Sequence, residues 1–468
     1  MNKVYSFLFC LSMTLAVHLH GQDITGDWYG ALHIQGTQLR LVFHIKKTDS
    51  GYVSTMDSPD QKAMGLPVAK TSYVQPRLTI SMPAIHLEYD GELDQEQKIK
   101  GSFKQNGQTF PLELSHEQIE KKVVKHPQEP IKPYPYSEEE VQFENPIGHH
   151  TLAGTLTLPQ KMGIFPVVIL ITGSGPQNRD EELLGHKPFL VLSDHLTRQG
   201  IGVLRYDDRG TAKSTGDFKS ATTADLATDV EAAINFLMTR PEVDKKKIGL
   251  IGHSEGGLIA PIVAAGNRNV SYIVLMAGTG IPGDELLLKQ EELIARATGS
   301  KEDDISKMKI SNRKAFDMVN TIKDTSNLRR SLTEYVMGEL KASPSDQKPA
   351  GMTDEAYTKI QVQTLTSPWM LYFLRYDPRP VISKVKCPVL AINGAKDLQV
   401  PPRENLEEIE KALRKGGNKK VTTQQIPNLN HLFQECTTGS PEEYATIEQT
   451  ISPVALNIIS DWIKDRVK

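Results

Sequence analysis

The chain has 468 residues, 38% of them hydrophobic and 24% charged, with a formal net charge of −3. That is the make-up of an ordinary globular protein with room for two or three domains. So slight a charge argues against nucleic acid or an anionic membrane as partner.

Lys3 precedes an apolar run from Val4 to Val17, followed by His18-Leu19-His20-Gly21-Gln22. A charged start and a short apolar stretch predict a cleaved export signal over 1–21, and with it a periplasmic or secreted location. The run is too short to span a bilayer comfortably, and no later stretch reaches that length, so no membrane segment is expected in the mature chain. Bulky Phe9 argues against lipid attachment at Cys10. Removal of the signal leaves Cys387 and Cys436, which could pair or stay free.

Residues 22–125 read as all-β. Leu39–Ile45, Leu78–Ile80, Ile85–Tyr89 and Ile99–Phe103 are short runs of β-formers, and Asn106-Gly107 is a two-residue hairpin signal. A small antiparallel barrel or sandwich is expected, with Trp28 as a core plug. Residues 126–137, carrying Pro127, Pro130, Pro133 and Pro135, form a stiff linker that cannot be helical.

From 138 onward strands alternate with helices, which implies a mostly parallel sheet with helices on both faces. Val141–Glu144 and Leu152–Leu158 open it as a hairpin. Pro166–Ile171 is apolar throughout, as a strand buried on both faces must be. Ile201–Tyr206, Tyr272–Ala277, Val389–Ile392 and Val421–Ile426 continue the sheet. Leu226, Val230, Ala233, Ile234 and Leu237 recur at helical spacing within 223–240. The stretch between Ala277 and Pro388 is too long for a connection and reads as an inserted helical cap, at about 282–380. Its most apolar part, Ser367–Leu374, is expected to pack on the main sheet, or alternatively to wall a substrate pocket with one or two aromatics.

Gly252-His253-Ser254-Glu255-Gly256 lies between an apolar strand and the buried helix that starts at Gly257. The pentapeptide alone is a weak signal. In a strand–turn–helix setting it reads as a nucleophile elbow, whose tight turn leaves room only for glycine at the serine's second neighbours. A serine hydroxyl needs a base, and the base needs an acid to fix its tautomer. His431 is the only histidine downstream of Ser254, in a loop past the last strand. Asp397 follows Val389–Ile392 through a glycine turn at the carboxyl edge of the sheet; Glu404 and Asp377 are its rivals. The oxyanion donors expected are the backbone N–H of Glu255 and that of Ser174 in Thr172-Gly173-Ser174-Gly175-Pro176, with Gly175 second.

These pieces resemble the α/β-hydrolase superfamily from about 138 to the C-terminus, and within it the secreted bacterial esterases and serine aminopeptidase-like hydrolases. The matching segments are Gly173–Glu181, Tyr206–Gly210, Gly252–Gly257, Gly394–Asp397 and Asn430-His431. The resemblance implies Ser254 as nucleophile, Asp397 as acid and His431 as base. It also implies a scaffold role for Asp207, Asp208 and Arg209. The oxyanion loop departs from the commoner His-Gly opening. The first 120 or so residues lie outside the likeness.

The reading is a serine hydrolase that cleaves small carboxylic esters through an acyl-enzyme, with no cofactor and no metal. His149 and His150 are adjacent rather than spaced for one metal site. One alternative is an aminopeptidase-like enzyme acting on short peptides, with a carboxylate such as Glu291, Glu292, Asp303, Asp304 or Glu334 holding the substrate α-amine. The other is a non-catalytic binding protein on a hydrolase fold.

Overall fold

The computed structural model describes residues 23–34, 37–61, 63–105, 108–120, 126–342 and 352–468. The export signal expected over 1–21 and the Asn106-Gly107 turn lie outside the described residues. The chain divides into two compact units, with the change falling between Lys121 and Lys122.

The first unit is a meander of nine strands: β1 (Gly26–Ile34), β2 (Thr37–Thr48), β3 (Gly51–Ser58), β4 (Ala63–Pro67), β5 (Lys70–Val74), β6 (Arg77–Met82), β7 (Leu87–Leu93), β8 (Ile99–Gln105) and β9 (Gln108–Leu114). They form one sheet of β1–β4 and another of β5–β9. Tyr29 and Ser115 exchange backbone hydrogen bonds of 2.7 and 2.9 Å, and Ser54 Oγ meets Thr71 Oγ1 at 2.6 Å. The sheets are thus joined on both sides, as in a small barrel. Side chains alternate in and out along β6 and β7, the period of a half-buried strand. The inner set includes Trp28, Phe43, Tyr89 and Phe103. Trp28 is fully buried and donates its indole N–H to Ile24 O at 2.8 Å, so this core plug leaves no polar atom unpaired.

The second unit contains β10 (Ser137–Asn145), β11 (His150–Leu158), β12 (Phe165–Ile171), α1 (Pro188–Arg198), β13 (Gly202–Tyr206), α2 (Thr223–Thr239), β14 (Val243–His253), α3 (Gly256–Gly266) and β15 (Val270–Met276). A helical insertion follows: α4 (Gly283–Ala297), α5 (Glu302–Thr321), α6 (Thr325–Ala342), α7 (Asp354–Leu365), α8 (Pro368–Arg375) and α9 (Arg379–Ile382). The chain then returns through β16 (Val389–Gly394), α10 (Pro402–Lys415), β17 (Val421–Ile426) and α11 (Pro453–Val467). The eight-stranded sheet runs β10-β11-β13-β12-β14-β15-β16-β17. β10, β11 and β13 pair antiparallel and the rest parallel. This is the α/β-hydrolase fold. Its central strands are apolar because helices cover both faces; Val167–Ile171 and Ile248–Ile251 are buried.

After β13 the strand order reverses, and β14 is laid on the other side of β12. The carboxyl ends of β12 and β14 therefore border the crevice where ligands gather in open α/β sheets. The proline-rich segment is docked rather than free. Gln128 donates to Ile451 O at 2.6 Å, and Tyr136 donates to Asp194 at 2.9 Å, both within the second unit. Cys387 and Cys436 are free thiols.

Candidate active site

β14 ends at His253 and α3 begins at Gly256, so the chain reverses within Ser254 and Glu255. Ser254 has φ 52°, a left-handed conformation that a non-glycine residue adopts only where its surroundings impose it. Two neighbours show what the turn demands. A Cβ on Gly252 would stand 2.0 Å from Gly256 O, and one on Gly256 would stand 2.2 Å from Ile171 O. The turn is held from below, because Ser254 N–H donates to Met276 O at 2.9 Å. No group among the described residues accepts from the backbone N–H of Glu255 or of Ser174.

Asp397 and His431 meet on neighbouring loops. Asp397 Oδ2 lies 2.8 Å from His431 Nδ1, and Oδ1 accepts the N–H groups of Gln399 and Val400 at 2.8 Å each. Both side chains are buried. The carboxylate thus accepts a hydrogen bond from Nδ1–H and leaves the Nε2 lone pair as the ring's free position. Close approach of the two loops explains Gly394, where a Cβ would fall 2.3 Å from Leu429 O. Asn430 closes the His431 turn by accepting from Leu432 N and Gln434 N at 3.0 and 2.9 Å. The rival acids are occupied elsewhere: Asp377 pairs with Arg379, and half-buried Glu404 lies near Lys289.

The loop after β12 is pinned at both ends by Asp208. Its carboxyl accepts from Thr172 Oγ1 and from Gln177 N–H, each at 2.9 Å. Burial pushes this carboxyl up to about 8. Within the loop, Gly173 N–H is consumed by Glu181 at 2.7 Å, Gly175 turns at φ 93°, and Pro176 has no N–H. The N–H groups of Ser174 and Gly175 meet no acceptor among the described residues, and of the two residues Ser174 borders the cavity. Asp207 is bound by Arg179 and Arg209 by Asp229, both as scaffold pairs.

Ser254, His431, Glu255 and Ser174 border one cavity of about 240 Å³, so the five sequence-derived residues are brought together, Asp397 standing behind His431. The wall opposite comes from the cap, through Leu286, Trp369 and Phe373. Ser367–Leu374 therefore does more than pack. Its aromatics Trp369 and Phe373, four residues apart on α8, stack at 5.1 Å and face the cavity, while Leu374 turns into the cap core. That spacing on one helical face is the signal that could have placed them.

Two buried arrangements had no signal in the sequence. The Glu255 side chain accepts from Thr223 Oγ1 and from Trp369 Nε1, each at 2.7 Å, and burial raises its pKa. His253, just before the nucleophile, has Nδ1 2.9 Å from Glu181 Oε1 and Nε2 3.0 Å from the carbonyl oxygen of His431. Among the described residues no group of three His, Cys, Asp or Glu side chains is placed to hold a metal ion.

The chain is 23% identical over 301 residues to esterase EstD of Thermotoga maritima, a match covering 64% of this chain and 62% of that one. It is 28% identical over 136 residues to human acyl-coenzyme A thioesterase 1, covering 29% of this chain and 28% of that one. The chain thus spans less than two thirds of either relative. Among solved structures, an esterase of Pyrococcus furiosus matches with TM-score 0.42 and 14% identity, covering 75% of this chain and all of that one. The X-Pro dipeptidyl-peptidase (S15) family matches residues 133–426, from the docked proline-rich segment to the end of β17. On that span, the chain belongs to the S15 family of α/β-hydrolase-fold hydrolases.

Proposed function

We propose that this chain is a serine esterase for small, uncharged acyl groups, acting through an acyl-enzyme on Ser254. The observation that carries the reading is the 2.8 Å Asp397–His431 bond beside a left-handed Ser254, at a cavity bordered by two open N–H donors. Ser254 Oγ attacks the ester carbonyl as His431 Nε2 takes its proton. The N–H groups of Glu255 and Ser174 bind the oxyanion, and the start of α3 adds its dipole. His431 returns the proton to the departing alcohol. Water then attacks the acyl-enzyme with the same base, releasing the acid and restoring Ser254.

Size and charge favour a short ester. The cavity is smaller than the roughly 300–1,000 Å³ of drug-sized sites. Of its carboxylates, Glu181 is engaged by Gly173 N–H and His253, and Glu255 is held through Oε1 by Thr223 and Trp369, while its buried Oε2 has no hydrogen-bond partner among the described residues. In the cap, Glu291 accepts from Asn312, and Glu292 is paired with Lys309 and Arg296. Both cavity carboxylates are buried, and burial raises the pKa of Glu255, which disfavours it as a counter-charge for a peptide's α-ammonium. The esterase name of one relative supports the same choice. The test is turnover of p-nitrophenyl esters from acetate to decanoate, set against aminoacyl- and X-Pro-anilides. Highest kcat/KM on the shortest esters is expected; turnover confined to the anilides would replace this reading with a peptidase. The charged and apolar start of the chain supports export, which N-terminal sequencing of the mature protein would check by a start at Gln22.

A further inference from the structure

The His253 ring is buried at the edge of the cavity, and the reaction steps described above do not use it. Its two nitrogens meet two groups that can only accept: the Glu181 carboxylate at Nδ1 and the backbone carbonyl of His431 at Nε2. A neutral imidazole carries one N–H and could satisfy only one of them. Satisfying both takes a proton on each nitrogen, with the charge balanced by Glu181, whose Oε1 also accepts Gly173 N–H.

From this geometry we infer that His253 is a fixed imidazolium paired with Glu181, and that this ion pair is a positioning device tying the oxyanion loop to the base loop. The inference rests on the reading of His431 as base and Ser174 as oxyanion donor. One end of the pair holds Gly173, the residue before Ser174; the other holds the backbone of His431 itself. The ring belongs to the residue before Ser254, so all three pieces of the site are referred to one rigid point. Glu181 is held at φ 51°, a left-handed conformation that costs free energy in a non-glycine residue and persists only where neighbours fix it. The groups facing His253 are few. Glu181 touches it, the His431 ring centre lies 4.9 Å away, the Phe433 ring stands edge-on at 6.3 Å, and the Asp397 charge is close enough to contribute. Burial opposes the cation, and Glu181 outweighs it, raising the pKa of His253.

Two measurements test this. Neutron diffraction from perdeuterated full-length protein at about pD 8, above the ordinary imidazole pKa near 6.5, should show deuterons on both nitrogens of His253. A single deuteron would overturn the assignment, and this reading needs no variant to fold. The second is kinetic. His253→Gln and Glu181→Gln should each lower kcat for a short ester by about a hundredfold, the scale of an ångström-level misplacement, with KM held within about threefold. Loss of thermal stability with kcat unchanged would make the pair packing alone. Fluorophosphonate labelling separates the two failures. Slow labelling of Ser254 in the variants keeps the serine mechanism, whereas no labelling in the parent removes the esterase reading itself.

Discussion

The two units of this chain treat charge in opposite ways. In the barrel, the buried side chains are mostly apolar or aromatic, Asp57 being a buried carboxylate bonded to His44 and Gly65 N–H, and ion pairs such as Arg77–Asp90, Lys98–Glu113 and Lys100–Asp94 lie on the outside. In the α/β unit, Asp208, Glu181, His253, Glu255, Asp397 and His431 are all buried, and all lie at or beyond the carboxyl ends of the sheet strands. Burying an ionisable group is costly unless it is fully bonded. The barrel carries little of that cost. The α/β unit carries it at the cavity, where these groups are bonded to the bordering loops, and again in the scaffold cluster of His150, Arg209 and Asp229. Buried charge is thus concentrated in the α/β unit, at the cavity and in its scaffold pairs, while the barrel core is held by apolar burial.

The comparison can be broken at several points. Asp397→Asn should leave the protein folded and lower kcat on short esters by about 10³–10⁴-fold, because the amide cannot hold the His431 tautomer; near-parent turnover in a folded variant would mean that another acid serves. Trp28→Ala should destabilise the barrel by about 3–5 kcal/mol, through the cavity it leaves, while ester turnover stays within about tenfold. Calorimetry and kinetics on the same sample check both halves, and a matching loss of activity would end the separation between the units. Trp369→Phe removes a hydrogen bond to a buried carboxyl, which should cost about 1–3 kcal/mol and raise KM several-fold.

Asp208 gives the pH-dependent case. Its folded pKa, about 8, lies above the ordinary 3.8. Between those values the folded chain keeps a proton that the unfolded chain has released. The stabilising contribution is whole below the lower value and is lost as pH rises through about 8. Asp208→Asn cannot ionise, so its Tm should gain on the parent's between pH 6 and pH 9; a constant offset would mean that Asp208 is already ionised. The smallest effect belongs to the barrel's surface. Arg77→Ala breaks an exposed pair and should leave Tm within about a degree of the parent's.

Much of this was legible in the sequence, for definite reasons. A strand covered on both faces must be apolar, so Pro166–Ile171 and Val389–Ile392 announce themselves. The elbow needs glycines at Gly252 and Gly256 because backbone oxygens occupy the space a Cβ would take. A single downstream histidine left one base to choose. What stayed hidden are pairings between distant loops. Glu181 and His253 are 72 residues apart, and Glu255 and Trp369 are 114 apart. No periodicity links such positions; only the completed fold brings them together. The proline-rich segment 126–137 gave the stiffness of a linker but not its hydrogen bonds to Ile451 and Asp194.

The central claim is that Ser254 is an activated nucleophile. Reaction of the native full-length protein with a fluorophosphonate, followed by peptide mass mapping, tests it directly. One adduct on Ser254, matched by loss of esterase activity and absent from Ser254→Ala, is the predicted result. A folded protein that stays unlabelled, or carries its adduct on another residue while losing activity, would contradict the account.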